Sequence, residues 1–146
     1  MPQLAVSIIC DDIRQEVGRK VSLMGIYDEK ILLSDLPVRV AKLCIFQVWS
    51  QVPRGAKVAL ELRGTAMVTP IRTQPQATAL MPNGGSDDNP KLLNAKLLLA
   101  FAPLDLASEG TLEFLTYWEG ADTPEHTHVI QVGKLTKEEA AKIGLA

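Results

Sequence analysis

Along most of the chain the apolar residues fall in short runs, some alternating with polar residues and some continuous, with turn residues between them. Strict alternation sends successive side chains to opposite faces of a strand. Lys57 to Arg63 therefore predicts a half-exposed strand, with Val58, Leu60 and Leu62 on one face and Lys57, Glu61 and Arg63 on the other. Continuous β-branched and aliphatic runs predict strands covered on both faces. Leu4 to Cys10 is one, stopped by Asp11-Asp12, and Val21 to Tyr27 reads as its hairpin return after a polar turn containing Gly18. Val38 to Trp49, apolar on both faces at its centre, predicts the most deeply buried strand.

Further on, Ala66 to Thr73 predicts a weak edge strand, since Pro70 has no N–H to give to a ladder. Pro82 to Pro90, with Asn83-Gly84-Gly85-Ser86-Asp87-Asp88 at its centre, predicts a loop. Period-two Leu93, Ala95, Leu97, Leu99 and Phe101, then Leu112 to Trp118, then His126 to Val132, predict the remaining strands. Thr136-Lys137-Glu138-Glu139 has the form of a capping box and opens a short C-terminal helix ending near Gly144. The expectation is all-β: an antiparallel β-sandwich of seven to eight strands, immunoglobulin-like or C2-like, with one short helix. Its 146 residues suit a single domain over 1–146, with no internal repeat and no linker.

Composition narrows the function classes. Apolar residues make up 47% and charged residues 22%, which is globular rather than disordered. The formal charge of −2, with no run of like charge, argues against a nucleic-acid or anionic-membrane partner, because such binding draws on clustered positive charge. No basic-then-apolar leader and no run long enough to span a bilayer is present, so a cytoplasmic protein is expected. Cys10 and Cys44 each lie in an apolar segment and read as buried thiols of a reducing compartment, not as a disulfide or a nucleophile.

The stretch Ile8-Ile9-Cys10-Asp11-Asp12-Ile13-Arg14, followed by Gly18 to Asp28 (Gly-Arg-Lys-Val-Ser-Leu-Met-Gly-Ile-Tyr-Asp), resembles the opening of a family of small uncharacterised bacterial proteins, a domain of unknown function. The likeness is sharpest over Ile8 to Asp28. It implies a bacterial or phage-associated origin and carries no activity. Asp11, Asp12 and Arg14 at one strand end and Asp28 at the next form either a turn held by local charge pairs or a ligand or cation site.

Candidate chemistry is sparse. His126 and His128, one residue apart on a strand, point to the same side and could together hold a divalent metal, completed by Asp122 or Glu125. Gly120 ahead of His126 resembles the opening of the cupin metal motif, but the Glu and third His of that motif are missing. The alternative for the pair is an ordinary place at a strand edge. Asp11, Asp12, Asp28, Asp35, Asp87 and Asp88 invite a calcium reading, with the convergence of their loops not given by sequence. Tyr117 and Trp118 occupy opposite faces of one strand, so one of them is expected at the surface as a contact or stacking residue. No nucleophile elbow, phosphate loop or dinucleotide fingerprint occurs.

Three readings follow. The leading one is a non-enzymatic binding or protein-interaction module without cofactor, pairing with another protein or with a second copy of itself through surplus apolar strand surface. The second is a metal-dependent enzyme built on His126 and His128. The third is a phage or mobile-element accessory protein that blocks a host protein surface.

Overall fold

The computed structural model describes residues 2–18, 20–74, 76, 77, 79–86 and 89–142, with backbone alone at 76, 77, 79–86, 89–91 and 140. The strands are β1 (Gln3–Gln15), β2 (Val21–Tyr27), β3 (Lys30–Leu33), β4 (Val38–Val40), β5 (Leu43–Pro53), β6 (Lys57–Arg63), β7 (Ile71–Arg72), β8 (Gln76–Ala77), β9 (Ala79–Ser86), β10 (Asn89–Phe101), β11 (Leu104–Leu106), β12 (Gly110–Trp118) and β13 (His126–Lys134); α1 spans Lys137–Lys142. A five-stranded sheet runs β2-β1-β5-β10-β9, and a second runs β3-β13-β12-β6-β7 with β8 also on β6. The pairings are antiparallel except β13 with β3, and β4 and β11 form a separate ribbon.

The sheets pack face to face because each strand turns its alternate apolar residues inward. Ile9, Leu43, Ile45 and Phe101 from the first sheet meet Leu60, Leu62, Leu112, Phe114, Ile130 and Val132 from the second, and Leu104 and Leu106 of the ribbon join the same cluster. A smaller cluster joins Trp49, Val52, Ala95 and Leu97 to Val58 and Trp118. Edge-to-face rings tie the layers at Trp49–Trp118 (5.5 Å between centroids) and Phe101–Phe114 (5.9 Å). Burying each large aliphatic side chain contributes about 1.5–3 kcal/mol, so these two clusters dominate the stability of the sandwich.

An all-β sandwich-like architecture with one short helix is thus the fold, although thirteen strands are found among the described residues instead of seven or eight. The first strand runs past Asp11-Asp12 to Gln15, because both carboxylates find partners and β2 pairs with β1 as far as Gln15. Val38 to Trp49 is not one strand: it breaks at Ala41-Lys42, with β4 pairing β11 and β5 pairing β1 and β10. Of Ala66 to Thr73 only Ile71–Arg72 is strand; Ala66 is buried in a turn whose N–H donates to the Thr111 carbonyl. The expected loop at Pro82 to Pro90 is strand backbone over most of its length, entering β9 and β10 through register shifts, while Asp87 and Asp88 lie outside the described residues. The capping box holds, with the Glu139 N–H donating to Thr136 Oγ1 at 3.1 Å. Among the described residues no helix is long and apolar enough to cross a membrane.

Candidate functional site: a polar tier opening on one flank

Between the two apolar clusters lies one tier of polar side chains. Gln47 sits on β5 between Ile45 and Trp49, Thr116 on β12 between Phe114 and Trp118, and both are fully buried. Ser7 of β1 and His128 of β13 complete the tier from opposite sheets, their Oγ and Nδ1 2.7 Å apart.

The hydrogen-bond directions follow from the donor inventory. Indole Nε1 can only donate, so the contact from Trp49 (3.0 Å) identifies the Gln47 oxygen, which also accepts from Thr116 Oγ1 at 3.0 Å. The Gln47 amide nitrogen then faces Ser7 and donates to its Oγ at 3.2 Å. The Ser7 hydroxyl keeps its proton and one lone pair for His128 Nδ1, and it donates to Nδ1 in the tautomer that carries the imidazole proton on Nε2. Burial, with a smaller contribution from His126, holds His128 below its ordinary pKa and so favours that neutral form.

Strand lengths explain why this tier reaches solvent. β2 pairs with β1 only from Ile9 onward, and β3 pairs with β13 only from Gln131 onward. The chain crosses from β2 to β3 within Asp28-Glu29, so both strands close the same flank of the sandwich. Beyond them Gln3 to Ile8 of β1 and His126 to Ile130 of β13 have no strand partner on that side among the described residues. Ser7, His126 and His128 are accordingly half-buried there.

The same-side reading of the histidines is correct, and the side is the inner one. Their rings stand 6.2 Å apart, edge to face, and burial also lowers the pKa of His126. Asp122 is exposed in the preceding turn and Glu125 is half-buried next to His126. Among the described residues no three His, Cys, Asp or Glu side chains converge as metal ligands do. Ser7, Gln47 and Thr116, which build the tier with the histidines, have no signal in the sequence beyond a polar residue at an inward position of an apolar strand.

Asp11 and Asp12, expected at a strand end, lie within β1 and are held by local partners. Asp11 accepts from the Tyr27 hydroxyl, whose pKa rises through burial first and the carboxylate second. Asp12 accepts from Lys42 Nζ at 2.8 Å and from the Ile13 N–H, which lowers its pKa, with Arg14 adding a smaller pull. Gly25, in the same stretch, has φ of +67°, and a Cβ there would overlap the Asp11 carboxylate. Asp28 is exposed in the turn before β3, and Asp35 is exposed after it.

Of the aromatic pair, Trp118 is the buried member, its ring against Trp49 and its Nε1 without a hydrogen-bond partner among the described residues. Tyr117 is half-buried on the outer face, where the Arg72 guanidinium lies 4.5 Å from its ring centre. A groove of about 550 Å³ opens beside the β4–β11 ribbon, with Arg39 and Asp105 at its rim paired to each other through two hydrogen bonds of 2.7 and 3.1 Å.

The second site is a surface. Since Ile9, Leu43, Ile45, Leu97 and Leu99 point inward, the alternate residues of the five-stranded sheet point out. Register aligns them in rows: Val6 beside Val48 beside Lys96, Ile8 beside Phe46 beside Leu98, and Ile26 beside Cys10 beside Cys44 beside Ala100. Val6, Met24 and Ile26 are 37%, 46% and 60% exposed. Cys10 and Cys44 are free thiols lying flush in this face; burial, with Cys44 second, pushes the Cys10 pKa up to about 11, and burial raises that of Cys44. Compared with known proteins, the chain matches no family profile and no curated relative.

Proposed function

We propose that the protein is an association module that pairs with a second copy of itself through the outer face of its five-stranded sheet. The observation that carries this reading is the apolar row Ile8–Phe46–Leu98, flanked by the rows of Val6 and Ile26. The face has the dimensions of an interface. Five strands at about 4.8 Å spacing, each about ten residues long at about 3.4 Å per residue, give a footprint on the order of 800 Å². That is about what one partner contributes to a standard stable complex. The choice of a second copy rests on chemistry, because homodimer interfaces are more apolar than transient ones and poor in charge at their centre, as the row Ile8–Phe46–Leu98 is, with Lys96 at the margin.

Native mass spectrometry and light scattering test it. A dimer at about ten micromolar, converted to monomer by Phe46→Asp with an unchanged far-ultraviolet spectrum, is the expected result. Ile26→Asp, at an exposed position that tolerates charge in the folded monomer, weakens the dimer if Phe46→Asp does not fold. A wild-type protein that stays monomeric at these concentrations overturns the reading.

A further inference from the structure

We propose that Ser7 is a nucleophile toward small uncharged acyl esters, with His128 as its general base, at the open flank between the two sheets. The proposal rests on three features of geometry. The Ser7 Oγ and His128 Nδ1 are 2.7 Å apart, within the range in which a base takes a proton. The Gln47 amide, itself fixed by Trp49 and Thr116, occupies one lone pair of the Ser7 Oγ and leaves the hydroxyl proton available to His128 Nδ1 in the tautomer that carries its proton on Nε2. Each member is held by a different strand of a packed sandwich, which fixes the pair without any ligand.

The flank supplies the remaining requirements. Where β2 and β3 stop, the edge N–H groups of β1 before Ile9 and of β13 before Gln131 have no strand partner among the described residues, and such groups are the donors an oxyanion uses. The groups facing the opening are a hydroxyl and two imidazoles that burial favours as neutral, which suits an uncharged ester.

In the step itself, Ser7 Oγ bonds to the acyl carbon as its proton passes to His128 Nδ1. The ester C–O bond then breaks, and the leaving alkoxide takes that proton. Water, deprotonated by His128, attacks the acyl-serine, releases the carboxylic acid and restores the Ser7 hydroxyl. One ester and one water give one acid and one alcohol, and no electrons are exchanged.

The probe is a fluorophosphonate, which forms a P–O bond to an activated serine and loses fluoride, read by intact mass and peptide mapping of the full chain. The expected result is a single adduct on Ser7, missing in Ser7→Ala and formed at least tenfold more slowly in His128→Gln. Ser50 and Ser108 are internal controls, since their hydroxyls donate to the backbone carbonyls of Gln3 and Thr65 and are shown with no base beside them. An unlabelled wild-type protein, or Ser7 labelled no faster than Ser50 and Ser108, overturns the proposal. Should Ser7→Ala fail to fold, the wild-type site map and the His128→Gln rate decide by themselves. Labelling of Ser7 does not depend on dimerisation, so this result and the oligomeric state are read separately.

Discussion

The two sheets share one core and differ in what they turn to the outside. The outer face of the β6–β12 pair is polar and internally compensated: Arg63 bonds Glu113 at 3.3 Å, and Arg63 and Arg72 both approach Glu61, at 3.9 and 3.8 Å. The outer face of the β1–β5–β10 strands is apolar along the row Ile8–Phe46–Leu98 and at Val6, Val48, Cys10, Cys44 and Ala100, with Lys96 closing the Val6–Val48 row on β10. Water solvates the first face at little cost, whereas the second turns half-buried Ile8, Phe46 and Leu98 and exposed Val6, Met24 and Ile26 outward. The difference teaches that inner faces built alike do not fix what the outer faces present, and it can be broken or sharpened experimentally.

The largest effect is expected where the sheets meet. Gln47→Ala strips the acceptor from Trp49 Nε1 and Thr116 Oγ1 in the dry interior and opens a cavity, so urea unfolding of the monomer should show a loss of about 3 kcal/mol. If it costs nothing, the polar tier is not what joins the two layers. Next comes a matched pair of charges on the outer faces. Phe46→Lys should weaken self-association by about thirtyfold, about 2 kcal/mol at an interface centre, while Tyr117→Lys on the other sheet leaves the mass in light scattering unchanged. Equal effects from the two would erase the contrast between the faces.

A smaller effect is expected from pH. Burial depresses the folded pKa of His128 and of His126 below the ordinary value of about 6.5. The unfolded chain therefore binds more protons as pH falls, so the stability from the neutral histidines is complete above about pH 7 and is lost on acidification through the unfolded and then the folded pKa. Melting temperatures should be level between pH 7.5 and 8.5 and fall toward pH 5, with a shallower fall in His128→Gln; a parallel fall would remove His128 as the cause. Smallest of all, Glu61→Gln loosens the contacts to Arg63 and Arg72 on the polar face. It should cost under about 1 kcal/mol, and less still at high salt, because both contacts are long and the two guanidinium groups are about half exposed, although Glu61 itself is largely covered.

How much of this was legible depends on the range of the interaction. The alternation of Lys57 to Arg63, the capping box at Thr136 and Glu139, and the common side of His126 and His128 are local, set by the two-residue period of a strand or the first turn of a helix, and each is found in the structure. The break at Ala41-Lys42 was not legible, because Val38 to Trp49 holds no Gly, Pro, Asn or Asp to mark a turn and only the choice between β11 and β1 as partner divides it. Pro82 to Pro90 misled for the opposite reason: turn-forming residues there are carried into strands by the pairing of β9 with β10.

The candidate site shows the same division. The sequence by itself determined an all-β chain, buried cysteines, and two histidines facing one way. It marked Ser7, Gln47 and Thr116 only as isolated polar residues within apolar strands. Their meeting with His128, 121 residues from Ser7 along the chain, was decided by tertiary structure alone, because buried polar groups must find partners and only the register of the packed sheets says which are in reach. The flank that opens onto them, and the outward turn of one apolar face, were decided in the same way, by where β2 and β3 stop pairing and by which faces of the two sheets close on each other.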